Sequence, residues 1–571
     1  MRMATAFAAW HFCLMALAAS LYGEEEMVVR DVRAVHRHGQ TFVTWRDVAN
    51  GEAGSRFRYR LYRAGEPITP ASLAKAEIAI DGLLNNSAKQ FGFAFYQKDR
   101  INPKHPYAII EEGAQPLPEW SGLAVRSVKR KGKSYYAVVA TDPAGKPMTQ
   151  VVPGASATTE PIEESVAPIQ PIKIHDSKNR GRYSPQTSIT GAKGRPLRIE
   201  LHGSQGQGGA GSDYGDYYLY FATPEMGWRD GLGGVFTVQE RRDKSGNYLL
   251  LESREAIEHI DGSGANETFW FGYLCTPQHA AHREPRVYTY TERRLDWIID
   301  WVVKHYAADP QRITCGGGSM GAWGSTTYAF RRPDLFAAVY PNRPRTRQRG
   351  LPRVGADLPA GAPILMEDGK TLFYERMDMV RFASEHADDL PVYLWCCGRR
   401  DGFASWQEQI DMVRALSKSR HGFAFAWNNG DHSSGAEPMS QIRKWYPPEL
   451  FARDRSYPAF SHSSIDQSLG NGDPADGDLE GGINLGFRWE VLADEPGKWS
   501  IRLSNELAKE DMTVDVTPRR CQKFRIVKGQ KLKWTTSRGQ TGTLAADELG
   551  LATIAGVRIA KGEPVELSVS P

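Results

Sequence analysis

Residues 313–323 constrain the fold of this chain more than any other stretch of the sequence. They read Ile-Thr-Cys-Gly-Gly-Gly-Ser-Met-Gly-Ala-Trp, so an apolar run leads through a glycine-flanked serine into a helix-forming segment. Gly317 and Gly321 stand two positions before and after Ser319, and residues without a Cβ let a strand and a helix approach closely. This G-x-S-x-G nucleophile elbow predicts that the Ser319 hydroxyl projects above a sheet as a nucleophile.

The sequence around the elbow predicts a parallel α/β sheet. Apolar residues recur at helical spacing over 288–306, and a second helix is expected over 322–332, directly before Pro333. The next apolar run, 335–340, has the nearly continuous hydrophobicity of a buried parallel strand. Helix, strand, elbow and helix therefore follow in the required order.

A serine needs a base and an orienting carboxylate to become a nucleophile, and the chain offers both downstream in the expected order. Asp401 follows the apolar run 391–397. His432 follows the apolar run 422–427, after a predicted helix over 404–419. We therefore predict a catalytic triad of Ser319, Asp401 and His432.

Each partner of the serine has a competitor in the sequence. Asp401 precedes a glycine and could simply begin a turn, and Asp368, after the run 363–366, is a rival acid. The chain contains 14 histidines, and most histidines are structural. Placement at a strand end favours Asp401, and His432 follows both the elbow and such an acid while lying in a glycine-rich loop.

Acyl transfer also needs two N–H donors for the developing oxyanion. Met320, the residue after the nucleophile, is predicted to supply one, and the Ser204 or Gln205 amide, in the His-Gly loop after the predicted strand 196–201, to supply the other. Residues 206–211 fit G-x-G-x-x-G, the fingerprint of dinucleotide binding. That motif must begin a helix, whereas here a strand-like run, 217–222, follows, so we expect no cofactor.

With these motifs, residues from about 170 to 450 resemble the α/β-hydrolase superfamily, particularly secreted esterases of the acetylxylan and feruloyl esterase kind. The Gly-Gly-Ser segment is also similar to the prolyl oligopeptidase family, although Ala322 follows Gly321 where that family usually has a glycine doublet. The resemblance implies a mixed sheet flanked by helices, with triad roles for Ser319, Asp401 and His432. It does not fix the substrate.

The flanking segments are predicted to be β-rich, which gives a multidomain chain. Period-two alternation at 56–61 and a second strand at 135–140 make residues 27–150 resemble a fibronectin type III sandwich, with a Pro- and Ala-rich linker over 151–175. Alternating runs also predict a C-terminal β-sandwich over 480–571. The α/β-hydrolase core, assigned to 176–450, would lie between two all-β sandwiches.

The first 20 residues predict export. A basic start, an apolar run over 7–19 and small residues before Glu24 are typical of a secretory signal, so we expect a secreted or periplasmic protein. No other run approaches the length of a membrane span. The formal net charge of +4 is too mild to indicate nucleic acid.

The cysteines predict no particular pairing. Five of the six cysteines lie beyond the predicted signal, an odd number that leaves at least one thiol unpaired. Most lie on or beside predicted core strands, so buried thiols are expected and disulfides stay possible. Their spacing does not suggest zinc.

Two polar segments leave open questions. Residues 471–480 are dense in oxygen ligands, so calcium is conceivable, but Asp/Gly/Pro clusters are usually turns and we predict no metal. Four arginines follow the elbow helix and the next strand, at the edge where α/β sheets bind ligands. Arg343 or Arg345 could bind a carboxylate or sulfate of the substrate, although a solvated loop is the plainer interpretation.

Together these features predict a secreted serine hydrolase of carboxylic esters, acting on acyl groups carried by a polysaccharide. The alternatives are a serine exopeptidase or oligopeptidase with the same triad, and a carbohydrate-binding protein with an inactive hydrolase core. The acyl group, the glycan, protein partners and the oligomeric state stay open.

Overall fold

The computed structural model describes residues 27–89, 107–175, 189, 192–204, 217–221, 232–255, 257–258, 264–265, 269–275, 286–347, 363–473 and 475–571. The chain divides into two compact units. The first unit lies within 1–178, 217–233 and 258–264, and the second within 179–216, 234–257 and 265–571.

The first unit is built from two antiparallel sheets. One sheet has the order Arg30–Arg37, Gln40–Arg46, Ser121–Ser127, and the other Glu77–Leu84, Arg58–Ala64, Gly132–Thr141, Ile162–Glu164. Alternate residues of both sheets, including Val43, Trp45, Tyr59 and Val138, form one buried core, as strand periodicity requires. Strand Ile172–His175 also pairs with strands Tyr107–Ile109 and Tyr217–Phe221, and short helical turns lie at Gly51–Gly54, Leu73–Lys75 and Ser87–Lys89.

The segment predicted to be a linker, residues 151–175, lies within this first unit and contains a strand. Strand Ile162–Glu164 pairs with strand Gly132–Thr141. The Glu164 side chain is buried and accepts hydrogen bonds from Thr41 at 2.7 Å and Ser134 at 2.6 Å. Pro- and Ala-rich composition predicts an extended backbone, which serves an edge strand as well as a connector.

The second unit contains a mixed, mostly parallel sheet. Its strand order is Gly481–Ile483, Phe423–Asn428, Val392–Gly398, Ala338–Asn342, Ile313–Gly318, Leu197–Leu201, Gly246–Ser253, Leu232–Asp243. The six strands between the two ends of this order are parallel, and the end strands are antiparallel to their neighbours. All seven residues of Val392–Gly398 are buried, as the continuous apolar run predicted.

Helices and turns connect these strands. The α-helices are Tyr290–Tyr306, Met320–Arg331, Phe373–Arg376, Met379–Glu385, Trp406–Lys418 and Met439–Trp445, with 3₁₀ turns at Ser434–Ala436 and Pro448–Leu450. Strands Tyr273–Cys275, Arg286–Tyr288 and Leu365–Met366 form a small separate sheet, and two-residue strands lie at Ile257–Glu258 and Gly264–Ala265. Every helix among the described residues is too short or too polar to cross a membrane.

The C-terminal strands form two antiparallel sheets. One has the order Tyr457–Ser461, Met512–Arg519, Ile554–Ile559, and the other Phe487–Glu495, Lys498–Asn505, Val565–Ser570, Lys531–Thr536, Thr541–Ala545. We call residues 457–571, apart from strand Gly481–Ile483 of the mixed sheet, the C-terminal sandwich. It begins before the predicted boundary at residue 480, because the short Pro-containing strand Tyr457–Ser461 lacks the alternation that marks the later strands.

The C-terminal sandwich and the mixed sheet share one hydrophobic core. Leu394, Ala426 and Trp445 from the α/β region belong to the same buried cluster as Trp499 and Leu567 from the C-terminal sandwich. Burial of apolar surface is the main favourable term in folding, so each part stabilises the other. The C-terminal sandwich is thus an integral layer of the second unit rather than a separate accessory module.

Candidate active site

Ser319 lies on a sharp turn between strand Ile313–Gly318 and helix Met320–Arg331. Its backbone has φ 55° and ψ −116°, a conformation that costs energy for a residue with a side chain. The turn is held by a hydrogen bond from the Ser319 N–H to the Asn342 carbonyl, 3.0 Å, and by one from the Trp323 N–H to the Ser319 carbonyl, 3.1 Å. Such strain is typical of a functional position.

The two glycines of the elbow are required by close packing. A Cβ on Gly317 would lie 2.5 Å from the Leu201 carbonyl oxygen, and one on Gly321 would lie 1.9 Å from the same atom. Both distances are too short for a carbon atom. The first helical turn therefore packs directly on the end of strand Leu197–Leu201, the strand that leads into the predicted oxyanion loop.

The structure brings Ser319, His432 and Asp401 together. His432 Nε2 lies 2.8 Å from Ser319 Oγ, and His432 Nδ1 lies 2.7 Å from Asp401 Oδ2. A carboxylate only accepts, so Nδ1–H donates to Asp401 and Nε2 is left to accept the serine proton. This chain of hydrogen bonds can move a proton from the serine to the imidazole.

Asp401 is held as a carboxylate by its surroundings. Its side chain is fully buried, and its Oδ1 accepts the N–H groups of Phe403 and Ala404, each at 2.8 Å. Burial raises the pKa of Asp401, but the hydrogen bonds from His432 and from these two amides outweigh burial and hold the pKa below its ordinary value. Asp401 is therefore ionised at neutral pH and accepts the Nδ1–H of His432.

The acid and base loops meet because two parallel strands of the same sheet, Val392–Gly398 and Phe423–Asn428, end side by side. A Cβ on Gly398 would lie 2.3 Å from the Gly430 carbonyl oxygen. Glycine therefore lets the two loops come close enough for Asp401 to reach His432.

The rival acid, Asp368, has a different role. Its exposed carboxylate accepts hydrogen bonds from the Lys370 N–H at 2.8 Å and from the Thr371 hydroxyl at 2.6 Å. The hydrogen bonds, first that from the Thr371 hydroxyl, lower the pKa of Asp368 to about 2. Asp368 stabilises its own turn, whereas Asp401 is bound to His432.

The predicted oxyanion donors are only partly described. Met320 is the first residue of helix Met320–Arg331, and the first N–H groups of a helix have no partner within the helix. Ser204 follows strand Leu197–Leu201, while Gln205 lies outside the described residues. Oxyanion binding by Met320, Ser204 and Gln205 stays a prediction.

His202 fixes the start of this loop. It is buried, its ring Nδ1 lies 2.8 Å from the Gly203 carbonyl oxygen, and its Nε2 accepts the Glu255 N–H at 3.2 Å. Trp270 donates to the His202 carbonyl at 3.0 Å. Burial lowers the pKa of His202 to about 4, so the ring is neutral and donates through Nδ1. The sequence contains the His-Gly motif, but the contacts of His202 with Glu255 and Trp270 could not be predicted because these residues are distant in the chain.

Arg343 lies at the triad, although its guanidinium has partners within the chain. Its Nη1 donates to the His432 carbonyl and lies 3.5 Å from the Ser433 carbonyl. Its own N–H donates to the Cys396 carbonyl at 2.8 Å, and its backbone has a positive φ of 64°. Arg343 thus holds the loop that carries the catalytic imidazole, and substrate binding by Arg343 stays a prediction.

Arg345 also contacts the protein. Its guanidinium lies 3.9 Å from the buried Glu408 carboxylate and 5.4 Å from the centre of the Trp323 ring. These contacts indicate that Arg345 forms an ion pair with Glu408 and a cation–π contact with Trp323. Substrate binding by Arg345 stays a prediction as well.

The segment considered for calcium surrounds an arginine. Arg399 is 1% exposed, and its guanidinium donates to the carbonyls of Asp473 at 3.2 Å, Asp478 at 2.5 Å and Asp476. Trp427 donates to the same Asp478 carbonyl at 2.9 Å. The carbonyl oxygens of this loop therefore already bind a cation that the protein supplies. No group of three or more His, Cys, Asp or Glu side chains in the described ranges is arranged to hold a metal ion.

The described cysteines are thiols. Cys315, Cys396 and Cys397 are buried in the mixed sheet, and Cys521 is partly buried. Burial raises the pKa of Cys396 to about 12, and it also raises the pKa of Cys315 and Cys397. These thiols behave as small apolar side chains.

Phe403 is a residue of the site that sequence reasoning missed. It is 71% exposed, yet its ring centre lies 4.9 Å from that of the His432 imidazole. A phenylalanine two residues after the predicted acid was the available signal. Whether this phenylalanine belongs to the site depends on the orientation of its side chain, which the sequence does not specify.

The model of the prolyl oligopeptidase family matches residues 296–450, a segment that contains Ser319, Asp401 and His432. The match thus falls on the part of the second unit that carries the elbow and the Ser319–His432–Asp401 hydrogen bonds. No curated protein matches the chain at a significant level.

Solved structures that match are distant in sequence. An S-formylglutathione hydrolase from Agrobacterium tumefaciens is 16% identical, with a TM-score of 0.29, and the match covers 44% of this chain and 83% of that one. A ferulic acid esterase is 15% identical, with a TM-score of 0.26, covering 45% and 87%. A putative dipeptidyl aminopeptidase IV from Bacteroides ovatus is 10% identical, with a TM-score of 0.28, covering 73% and 48%.

Proposed function

We propose that this α/β serine hydrolase is a carboxylic esterase that removes acyl groups from a polysaccharide outside the cytoplasm. The observation that carries the proposal is the continuous relay from Ser319 Oγ to His432 Nε2, 2.8 Å, and from His432 Nδ1 to Asp401, 2.7 Å. A relay of this kind serves acyl transfer from esters and amides alike.

The geometry defines the steps of the reaction. Ser319 Oγ attacks the ester carbonyl while His432 Nε2 takes the serine proton, and Asp401 stabilises the imidazolium. The oxyanion would accept the Met320 N–H and an N–H from the loop after Leu201. Collapse of the tetrahedral intermediate breaks the ester C–O bond, and His432 gives its proton to the departing alcohol. Water, activated by the same imidazole, then releases the acid from Ser319.

The carbohydrate part of the proposal rests on domain organisation. The first unit has strands in sheets of three and four around one core, which supports the fibronectin type III-like assignment. Accessory β-domains often accompany extracellular enzymes that act on glycans, and this step is an argument by analogy of fold. Export rests on the signal-like residues 1–20, which lie outside the described residues.

A peptidase is the second candidate, because residues 296–450 match the prolyl oligopeptidase family. The same triad would then attack an amide, and His432 would protonate a leaving amine. The third alternative, an inactive hydrolase core that only binds carbohydrate, would not require the Ser–His–Asp hydrogen bonds that the structure maintains.

Two measurements test the proposal. A fluorophosphonate probe should label Ser319 of the full chain, with Ser319→Ala as the unlabelled control, and absence of labelling would support the binding protein. Acetylated, feruloylated and uronate-ester sugars should then be compared with aminoacyl nitroanilides. A kcat/KM for the nitroanilides above that for every ester would replace the esterase with a peptidase.

A further inference from the structure

The position of Phe403 points to the part of the substrate that the site selects. Its side chain is 71% exposed, whereas most large apolar side chains of this unit are buried. Its ring nevertheless contacts the His432 imidazole, with ring centres 4.9 Å apart and planes inclined by 59°. An exposed aromatic ring against a catalytic base offers an apolar face directly beside the reacting atoms.

Hydrogen bonds hold the backbone that carries this ring. The Phe403 N–H donates to Asp401 Oδ1 at 2.8 Å, and Asp401 Oδ2 binds His432 Nδ1 at 2.7 Å. Phe403 is therefore held by the same carboxylate that orients the imidazole. The Phe403 backbone cannot move away from His432 without disturbing the acid loop.

The proton transfers of the triad determine which group of the substrate lies next to Phe403. His432 Nε2 must hand its proton to the departing oxygen, so the alcohol has to lie against the imidazole. The acyl group instead stays bonded to Ser319 Oγ, with its carbonyl oxygen towards the oxyanion donors. A ring that contacts the imidazole and faces solvent is thus beside the alcohol.

We propose that Phe403 is a specificity-determining residue for the alcohol, and that its ring stacks on the apolar C–H face of the sugar ring that carries the ester. This inference rests on the esterase function proposed above. A flat aromatic face matches a cyclic alcohol better than a short aliphatic one, since stacking needs an extended surface. Phe403 should leave selection among acyl groups unchanged.

The test varies the alcohol at constant acyl group. An acetylated pyranoside and ethyl acetate are compared with wild-type enzyme, Phe403→Ala and Phe403→Tyr, the last keeping the ring. In Phe403→Ala we expect kcat/KM for the pyranoside to fall about tenfold and that for ethyl acetate to stay within about twofold, with Phe403→Tyr close to wild type. Acetyl and propionyl esters of the same sugar should keep their rate ratio.

A second measurement separates alcohol binding from support of His432. Burst kinetics with an aryl acetate resolve acylation, in which the alcohol is present, from deacylation, in which it has left. Phe403→Ala should slow acylation alone. Equal slowing of both steps, equal loss on both acetates, or no loss on either would overturn the proposal. Failure of the esterase function itself would appear separately, as wild-type enzyme that hydrolyses no ester or as activity that survives Ser319→Ala.

Discussion

Arg520, in the C-terminal sandwich, donates a hydrogen bond through Nη2 to the carbonyl oxygen of Leu390, 3.2 Å away in the α/β region. Its Nη1 donates to the carbonyls of Ala337 at 3.1 Å and Ala452 at 3.3 Å. Residues Ala337 and Leu390 lead into two neighbouring strands of the mixed sheet. One buried guanidinium therefore binds the backbone at the base of the strands that lead towards the active site.

Replacing Arg520 with Met should destabilise the second unit by about 2 kcal/mol, because the Leu390 carbonyl would lose its guanidinium donor, whereas those of Ala337 and Ala452 keep the Val392 and Arg455 N–H groups. Urea denaturation of the full chain measures the effect. Arg502→Met is the matched control, since Arg502 forms exposed ion pairs with Glu490 and Glu566 whose attraction is screened by solvent. Equal losses in the two variants would contradict a special role for Arg520.

The triad variants should separate the two candidate acids. Ser319→Ala and His432→Ala are expected to lower kcat for an aryl ester about a millionfold, because the residues act as a unit. Asp401→Asn should lower kcat about ten-thousandfold, since an amide would set the wrong imidazole tautomer. Asp368→Asn should leave kcat unchanged. The acid has been misassigned if Asp368→Asn is the damaging change, and circular dichroism checks that each variant is folded.

Arg343→Gln should lower kcat about tenfold to a hundredfold with little change in KM, because the carbonyl of His432 loses the guanidinium that holds it and a small displacement of the base is costly. The fall should be equal for a neutral aryl ester and for a uronate ester. Arg345→Gln is the comparison variant, because it replaces an arginine that pairs with Glu408 and not with the His432 carbonyl. A rise in KM confined to the uronate ester would instead show that Arg343 binds the substrate carboxylate.

Acid should destabilise the second unit through His202. Burial lowers the pKa of this ring to about 4, whereas an unfolded histidine has a pKa near ~6.5. A lowered folded-state pKa stabilises the protein fully above pH ~6.5 and progressively less as the pH falls towards 4, a loss of up to about 3 kcal/mol. The free energy of unfolding of His202→Gln should therefore fall less than that of wild type between pH 7 and 4.5. His462→Gln, at an exposed position, should follow wild type.

Chelators should leave the melting temperature and the activity unchanged, because Arg399 already binds the carbonyl oxygens of the loop that contains Asp473 and Asp478. The carboxylates of the loop are also engaged, since Asp478 accepts the Ser468 N–H at 2.7 Å and Asp476 the Asn471 N–H at 2.9 Å. Thermal unfolding with calcium and with EDTA measures this. Stabilisation by calcium would show that the loop binds a metal after all.

Periodicity and strand order were enough to predict much of the α/β region. Helix Tyr290–Tyr306 and strands Val392–Gly398 and Phe423–Asn428 lie within about two residues of their predicted bounds, because each is a long, consistently patterned run. Strand Ala338–Asn342 begins later than predicted, since Leu335 and Phe336 are apolar but hydrogen-bond back to Arg332 in a turn. Hydrophobicity alone does not distinguish a buried turn from a strand.

Contacts between distant residues could not be predicted in this way. The order of Ser319, Asp401 and His432 along the chain is a property of the sequence, so the three could be chosen from motifs. The directions of the Arg343 and Arg399 guanidinium groups depend on packing around them, and the sequence offered only their positive charge. For the same reason the loop at 471–480 suggested a metal ligand set and not an arginine site.

The hydrophobic core that the α/β region and the C-terminal sandwich share also limits how this protein can evolve. Leu394 and Trp499 belong to one buried cluster although they come from the α/β region and the C-terminal sandwich. A recombination event between residues 450 and 457 would bring together surfaces that had never been selected to fit. We therefore expect these two parts to be inherited together, with compensating substitutions on both sides of the junction and no exchange of the C-terminal strands for an unrelated module.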